Sequence, residues 1–371
     1  MMEKALKVLA VNDPAVSAYV DKRYGILDRY DGSVQFDVVP WSRYYATMMD
    51  VFAGKAQYDI VMVAGHLWAC DFIRKGYLAE LSYDFGDILP VIAAEMQLDG
   101  KTYLSPSFCD GHMITYRKSA LREVIGGTWG EIVRPQELIR AAAAIAAATG
   151  KPSLALKADA SEIFTDALPY LRMTGNDVYE GEKAVCDRAG VVGGLEEYCG
   201  LKKIALPGTD TFGNAEVAAA IREKKAPLAV TWSGQMGVVY TDDCLEKDDI
   251  GFATFFTAWN VTWSFAVSAV SEKKEEAQAF LAYLRSAEVD EIAGAVSGAP
   301  VRRSSYEKGR ETYPWYDCQL KMFERAVPLP NMPFAGDKNG ILYREIAEAF
   351  AGRKTALQAM RDAREAINRI G

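Results

Sequence analysis

The stretch that decides the fold runs from Tyr58 to Ser82 and reads YDIVMVAGHLWACDFIRKGYLAELS. Its apolar run Ile60–Val63 predicts a short buried strand, which is followed by a polar and aromatic loop at Gly65–Trp68 and then by a helix. Ligands of open parallel sheets collect beyond the carboxyl ends of the strands. This order of strand, loop and helix therefore predicts an α/β protein whose strand-end residues bind a ligand.

Two earlier strands are predicted to end in segments of the same kind. Ala5–Val11 is followed by Asn12-Asp13, and Val34–Val39 is followed by Pro40-Trp41. The helices that connect the three strands are predicted over Val16–Tyr30 and Ser42–Phe52. Strands that alternate with helices in this way indicate a parallel sheet with right-handed crossovers. Asn, Asp, Trp and His side chains at the strand ends suit a polar ligand with an apolar face.

Composition limits the class of protein. A globular chain of 371 residues is too long for one compact core and indicates two domains, with three as the alternative. The net charge of -8 and the absence of a basic stripe argue against binding to nucleic acid. No segment reaches the roughly 18 apolar residues of a membrane-spanning helix. The longest apolar run is Ala141–Ala148.

The cellular compartment is only partly indicated. The amino terminus, MMEKALKVLAVNDP, lacks a signal peptide, because Ala5–Val11 is too short and no small-residue cleavage site follows. We expect either a cytoplasmic protein or one whose leader is absent from this sequence. The cysteines are scattered, without a CxxC pair, and predict neither a zinc site nor a redox site. A disulfide between Cys186 and Cys199 stays open.

The segment Gly100–Leu121, GKTYLSPSFCDGHMITYRKSAL, marks a change of domain, because turn residues precede a new strand at Met113–Tyr116. Later strands are predicted at Leu228–Thr231, Ile250–Phe256 and Phe265–Val270, and helices at Pro135–Thr149, Ala160–Met173 and Asn214–Lys224 and from Ser271 onward. Gly150 is predicted to cap the first of these helices, and Thr355 with Gln358 the last helix of the chain. The predicted buried faces of the later helices are Ala277, Phe280, Leu281 and Leu284; Leu342, Ile346 and Phe350; and Leu357, Met360, Ile367 and Ile370.

No catalytic motif is found in the sequence. His66 and His112 are the two imidazoles, and GxSxG, HExxH, P-loop and GxGxxG patterns do not occur. Paired carboxylates for glycoside hydrolysis stay open, because Asp and Glu total 50. We therefore predict a protein without catalytic residues, cofactor or metal.

Tryptophans concentrate at the predicted strand ends, where Trp41, Trp68, Trp232, Trp259 and Trp263 lie. Taken singly, each tryptophan is as compatible with a core position as with a ligand-binding position. Together they favour a pocket for a sugar, whose C–H faces stack on aromatic rings while polar side chains bind its hydroxyls. The preferred polar contacts are Asp13, Asp110 and His66, although turn and helix-capping roles also explain the two carboxylates.

Segments spread over nearly the whole chain resemble the extracellular solute-binding proteins, family 1, of bacterial ABC importers. They are the opening stretch Tyr58–Ser82, Gly100–Leu121, TWGEIVRPQEL, PLAVTWSGQMGVV, WSFAVSAVSEKKEEAQAFLAYL, GAPVRRSSYEK and the tail from Pro328. Their order and spacing are specific, although no single one is diagnostic. The chain departs from the family pattern in its missing leader and in the polar Asp110-Gly111-His112. In addition, Arg117-Lys118 stands where the family usually has Asn-Lys.

The resemblance implies a two-lobed periplasmic-binding-protein fold of type II, with a ligand cleft between lobes that close about hinge crossovers. The lobes would comprise residues 1-109 plus 264-302 and residues 110-263 plus 303-371. The expected function is delivery of a mono- or oligosaccharide to membrane permease subunits by a monomer located outside the cytoplasm, as a periplasmic protein or lipoprotein. Binding of a polyamine or polyol phosphate, or glycoside hydrolysis, are the alternatives.

Residue by residue, the resemblance implies ligand contacts from both lobes. They are Asn12, Asp13, Trp41, His66, Trp68, Asp110, Trp232, Trp259, Asn260, Trp263, Tyr313 and Trp315. Arg302 or Arg303, if turned toward the ligand, would favour an anion.

Overall fold

The computed structural model describes residues 5–370. Its strands, in chain order, are β1 (Leu6–Val11), β2 (Val34–Val39), β3 (Ile60–Ala64), β4 (Gln97–Leu98), β5 (Lys101–Thr102), β6 (Ser105–Asp110), β7 (His112–Arg117), β8 (Ile132–Val133), β9 (Leu154–Ala155), β10 (Tyr179–Glu180), β11 (Lys183–Ala184), β12 (Leu228–Trp232), β13 (Ile250–Phe255) and β14 (Val261–Val267). Its α-helices are α1 (Pro14–Val20), α2 (Trp41–Phe52), α3 (Gly65–Arg74), α4 (Pro90–Glu95), α5 (Lys118–Ile125), α6 (Pro135–Thr149), α7 (Ile163–Leu171), α8 (Ala189–Gly200), α9 (Asn214–Arg222), α10 (Met236–Val239), α11 (Lys274–Leu284), α12 (Ala287–Ser297), α13 (Arg303–Gly309), α14 (Tyr316–Arg325), α15 (Ala335–Phe350) and α16 (Ala356–Ile367).

The chain divides into two compact units. Unit 1 contains the residues up to Asp110 together with Val261–Tyr313. Unit 2 contains Gly111–Asn260 together with the residues from Pro314 onward. Each unit is built around its own sheet.

The sheet of unit 1 has the strand order β2-β1-β3-β14-β6. β1 pairs in parallel with β2 and β3, so the parallel arrangement predicted from the sequence is confirmed. β14 lies antiparallel between β3 and β6, and its register shifts between Trp263 and Ser264 as in a β-bulge. β3 is buried along its whole length, because its side chains are apolar on both faces.

Two predicted elements near the strand ends of unit 1 differ from the structure. Gly65–Trp68 is the first turn of α3 and not a loop. The helix predicted to reach Tyr30 ends at Val20, because the Asp21 carboxylate accepts hydrogen bonds from the backbone and the guanidinium of Arg23 and closes a local turn.

The returning strand of unit 1 and the helix after it also differ from the prediction. β14 begins at Val261 rather than at Phe265, because its first residues pair with β6. α11 begins at Lys274 rather than at Ser271, whose hydroxyl donates a hydrogen bond to the Asp59 carboxylate at 2.7 Å. The predicted buried face of α11 is confirmed and consists of Ala277, Phe280, Leu281 and Leu284.

The sheet of unit 2 has the order β8-β13-β7-β12-β9. The central strand β7 pairs antiparallel with β12 and β13, and the short edge strands β9 and β8 pair in parallel with β12 and β13, respectively. The register places Trp232, the last residue of β12, opposite His112, the first residue of β7. One end of this sheet therefore brings a tryptophan and a histidine together.

Most predicted helices of unit 2 are confirmed within a few residues. α6 starts at Pro135 and ends before Gly150, which has a left-handed φ of 66°. The helix predicted over Ala160–Met173 is shorter and begins at Ile163.

The carboxyl-terminal helices follow the sequence pattern with two exceptions. The Thr355 hydroxyl accepts a hydrogen bond from the Gln358 amide and caps α16 as predicted. Met360 and Ile367 are buried, but the prediction for Leu357 is wrong, because that side chain is 39% exposed. The prediction for Ile370 is wrong as well, because this residue lies beyond the end of α16 and is only half-buried. The predicted buried stripe of α15 is confirmed and consists of Leu342, Ile346 and Phe350.

Cys186 and Cys199 do not form a disulfide. The Cys186 thiol donates instead to the Met360 carbonyl oxygen at 3.3 Å. Within residues 5–370, every helix is too short or too polar to cross a membrane.

Candidate functional site

Most residues predicted as ligand contacts in unit 1 gather at one edge of its sheet. β1, β2 and β3 run in the same direction, so the segments Asn12-Asp13, Pro40-Trp41 and Gly65-His66 follow them at the same edge. β6 and β3 both lie antiparallel to β14, which places Asp110 at the end of β6 on that edge as well. Trp263 near the start of β14 pairs there with the last residue of β3.

Three indole rings at this edge form what we call the tryptophan cluster: Trp41, Trp68 and Trp263. The rings of Trp41 and Trp68 are stacked, with centroids 5.4 Å apart and 24° between their planes. Trp263 meets both edge-on, at 5.7 Å from Trp41 and 6.4 Å from Trp68. Offset stacking and edge-on contacts are the arrangements that aromatic quadrupoles favour.

The outer surface of the tryptophan cluster is open. Trp41 is 45% exposed, whereas Trp68 beneath it is 9% exposed. Tyr45, one helical turn after Trp41, is 47% exposed and its ring centroid lies 5.5 Å from that of Trp68. Two exposed aromatic rings that rest on the same buried ring make this edge a candidate binding surface.

Polar groups at the same edge have modified acidities. Asp13 caps α1, and its carboxylate accepts a hydrogen bond from the Ala15 amide at 2.8 Å. Desolvation, and then the nearby Asp110 carboxylate, raise the pKa of Asp13 to about 8. Burial lowers the pKa of His66, in the first turn of α3, to about 3. At neutral pH both side chains are therefore uncharged and can donate a hydrogen bond as well as accept one.

In unit 2 the half-exposed Trp232 is the centre of a second group of side chains. Its indole Nε1 donates to Glu162 Oε2 at 2.9 Å, and its ring centroid lies 4.3 Å from that of His112. The ammonium of Lys157 lies 4.6 Å from the Trp232 ring centroid, within the range of a cation–π contact. We call Trp232, Glu162, Lys157, Asp166 and His112 the lysine cluster.

Ion pairs and a polar contact hold the lysine cluster together. The fully buried Lys157 Nζ lies 2.5 Å from Glu162 Oε2 and 3.3 Å from Asp166 Oδ2. His112 Nε2 lies 3.2 Å from the other oxygen of Asp166. Burial alone would lower the pKa of Lys157, but Asp166 and Glu162 raise it above its ordinary value. Burial would likewise raise the pKa of Glu162, but Lys157, Trp232 and His112 lower it, so both groups are charged at neutral pH.

The other predicted contacts are mostly core residues of their own unit. Trp259 is fully buried, and its Nε1 donates to His112 Nδ1 at 3.0 Å. Asn260 is buried as well, and Trp315 is buried against Tyr240. Tyr313 is half-buried at the end of unit 1, where its amide donates to the Gly309 carbonyl.

Arg302 is engaged within unit 1. Its guanidinium pairs with Asp87 and donates to the Arg285 carbonyl oxygen at 2.6 and 2.8 Å. These bonds use the fork of the side chain, so it is not directed toward the tryptophan cluster.

Sequence reasoning missed Lys157, Glu162 and Asp166. The signal was present at β9, because Lys157 follows a short apolar strand whose carboxyl end lies beside that of β12. The expectation that ligand-binding residues follow strand ends, which identified Trp232, would also have identified Lys157, but β9 was not predicted as a strand. Within the described part of the chain, no three His, Cys, Asp or Glu side chains are placed to hold a metal ion.

Comparison with solved structures identifies proteins of the same fold. The maltose-bound MalE3 protein of T. maritima has a TM-score of 0.87 and 20% identity, and the match covers 99% of this chain and 100% of that chain. A D-mannitol-bound ABC transporter solute-binding protein of Agrobacterium vitis S4 has a TM-score of 0.83 and 20% identity, with 99% and 98% covered. A ribitol complex of such a protein from Agrobacterium radiobacter K84 has a TM-score of 0.85 and 17% identity, with 99% and 98% covered.

These likenesses confirm the predicted α/β fold with two sheet-containing lobes. Residues 11–291 of the 371 in the chain match the family model for the bacterial extracellular solute-binding protein. The chain therefore belongs to the bacterial extracellular solute-binding proteins.

Proposed function

We propose that this protein is the substrate-binding component of an ABC importer and that its ligand is a sugar or a sugar alcohol. The tryptophan cluster carries the proposal. An exposed indole face that is backed by a second, buried indole offers a rigid apolar surface at little entropic cost. The C–H face of a sugar or polyol fits such a surface, and the neighbouring uncharged Asp13 and His66 can bind its hydroxyls.

The lysine cluster supplies a second surface of the same character. Trp232 is half-exposed, and the Glu162 side chain is 28% exposed. A carboxylate beside an aromatic face again suits hydroxyl donors next to C–H groups. The proposal assigns ligand contacts to Trp41, Trp232 and Glu162, and structural roles to the buried Trp259 and Trp315.

Charge favours a neutral ligand over the two charged alternatives. A polyamine would need several ionised carboxylates, but Asp13 keeps its proton at neutral pH because its pKa is raised to about 8, and the charge of Glu162 is compensated by Lys157. A polyol phosphate would need a cation, but Arg302 is bonded to Asp87 and Lys157 to Glu162 and Asp166. Solved relatives of this fold bound to maltose, D-mannitol and ribitol support a polyhydroxyl ligand.

A thermal-shift screen tests this function. The panel contains maltose, mannitol, ribitol and tagatose, with glucose 6-phosphate and spermidine as the charged probes. A ligand at 1,000 times its Kd stabilises the folded state by about 4 kcal/mol, so a micromolar binder is seen at millimolar concentration. Stabilisation by a neutral member supports the proposal. Stabilisation by a charged probe alone, or by none, overturns the carbohydrate assignment.

We further propose that the protein acts outside the cytoplasm as a monomer, either free in the periplasm or lipid-anchored, and delivers its ligand to permease subunits without converting it. Light scattering of the purified chain tests the monomer. Stimulation of the permease ATPase in proteoliposomes by the liganded protein tests the delivery. Release of reducing sugar from an oligosaccharide would instead indicate a hydrolase.

A further inference from the structure

A fully buried lysine lies directly behind the exposed part of the lysine cluster. The Lys157 ammonium contacts Glu162 Oε2 at 2.5 Å, Asp166 Oδ2 at 3.3 Å and Asn214 Oδ1 at 3.2 Å. Burying an ammonium is costly even when it is paired, and a well-packed apolar side chain commonly stabilises a protein as well as a buried ion pair does. Stability alone therefore does not account for a lysine at this position.

Two of its contacts reach side chains that are open to solvent. Glu162 is 28% exposed on its side chain, and Trp232 is half-exposed. Lys157 binds the first through an ion pair and lies 4.6 Å from the ring centroid of the second. The Trp232 Nε1 then donates to the same Glu162 oxygen at 2.9 Å. Three contacts thus close a triangle in which each side chain fixes the other two.

The triangle leaves one carboxylate oxygen of Glu162 available. Both the ammonium and the indole bind Oε2, and among residues 5–370 no hydrogen bond to Oε1 is formed. The charge of Lys157 is compensated by Glu162 and by the buried Asp166, so the ammonium itself is not offered to a ligand.

We propose that Lys157 is a positioning residue for ligand binding: it holds Glu162 and Trp232 so that Glu162 Oε1 accepts a ligand hydroxyl while the Trp232 ring carries the ligand's C–H face. This inference rests on the proposed carbohydrate-binding function. The two can fail separately, because titration of the unmodified protein tests the function, whereas the variants below test the role of Lys157.

A double-mutant cycle measures whether Lys157 acts through Glu162. Lys157→Met and Glu162→Gln each lower the affinity for the best sugar of the panel by about ten- to a hundred-fold, the ratio that corresponds to one charge-assisted hydrogen bond. The double variant binds no more than a few-fold more weakly than the weaker single variant, because both changes remove the same contact. If the double variant instead loses affinity by the product of the two single-variant factors, the two side chains act independently and the proposal is overturned.

The cycle is repeated with Lys157→Met/Asp166→Asn in place of Lys157→Met, because the single change leaves Asp166 buried without its cation and can prevent folding. Lys202→Met is the matched control, since Lys202 also lies over an aromatic ring of unit 2, 5.0 Å from the centroid of Phe350, but outside the lysine cluster. The Lys202→Met variant is expected to bind the sugar with unchanged affinity.

A second readout needs no ligand. Removal of the Lys157 ammonium shifts the tryptophan fluorescence of the ligand-free protein, and the shift is absent when Trp232→Phe is the parent. The inference is overturned if the spectrum is unchanged in the protein that retains Trp232, or if the shift is equal with and without Trp232. Either result shows that Lys157 does not set the environment of Trp232.

Discussion

The ring of Trp41 lies against the ring of Trp68, with centroids 5.4 Å apart and 24° between planes, yet the two side chains differ in exposure, 45% against 9%. Trp68 packs into unit 1 and supports Trp41, which presents its outer face to solvent. The two residues therefore affect ligand binding and stability to different degrees.

Trp41→Ala is expected to weaken sugar binding by about 1–3 kcal/mol, on the scale of an interface aromatic, with little loss of folding stability. Trp68→Ala should lower both, because it also removes a buried ring. Isothermal titration and denaturant unfolding measure the two effects. Trp129→Ala is the control, since Trp129 is half-buried in unit 2 outside both clusters, and it should leave affinity intact. Unchanged affinity in Trp41→Ala would contradict the role of the tryptophan cluster.

Trp232→Ala and Trp315→Ala separate a binding tryptophan from a core tryptophan. Trp232→Ala should weaken binding by about 1–3 kcal/mol. Trp315, which is 1% exposed, should instead cost about 3–5 kcal/mol of unfolding free energy when it is truncated, while the folded fraction keeps its affinity. Lost stability with unchanged affinity in Trp232→Ala would identify that residue as core.

Asp13 should make stability depend on pH. Its pKa rises from 3.8 to about 8 on folding, so between these values the unfolded chain releases a proton that the folded protein keeps. The stability that this proton contributes is fully present below pH 3.8 and is lost as the pH rises to 8. Asp13→Asn keeps a capping side chain without the titration. Its stability relative to the unmodified protein should therefore increase by about 2–5 kcal/mol from pH 4 to pH 9. A constant difference in urea unfolding across this range would show that Asp13 ionises normally.

Arg302→Leu should reduce stability but not ligand selectivity. The change removes the ion pair with Asp87 and the bonds to the Arg285 carbonyl, for an expected loss of about 1–3 kcal/mol. Burial raises the pKa of Asp87, but hydrogen bonds from Ser304 and Arg302 hold it below its ordinary value, so part of the native stability is lost as the pH falls through that lowered pKa. In the variant this loss should begin at a higher pH. A changed ratio of affinities for glucose and glucose 6-phosphate would place Arg302 at the ligand.

Local sequence patterns predicted the parallel strands of unit 1 and the helices between them. Apolar runs of strand length with intervening helices predicted β1, β2 and β3 and their parallel pairing. This succeeded because strand burial and helix amphipathicity each depend on the pattern of a few consecutive residues. The boundary at Gly65 was missed, because a strand that passes directly into a helix leaves no loop residues to mark the change.

The sequence by itself determined the α/β class and the concentration of tryptophans at strand ends, because each of these depends on residues close together in the chain. It also determined the family, because the order and spacing of motifs along the chain can be read without the structure. Tertiary structure alone decided which tryptophans are exposed. Trp41 is exposed and Trp232 is half-buried, while Trp259 and Trp315 are buried, since burial depends on packing against distant segments. It also decided the lysine cluster, because the pairing of β9 with β12 brings Lys157 to Trp232 across a separation in the chain that no local pattern spans.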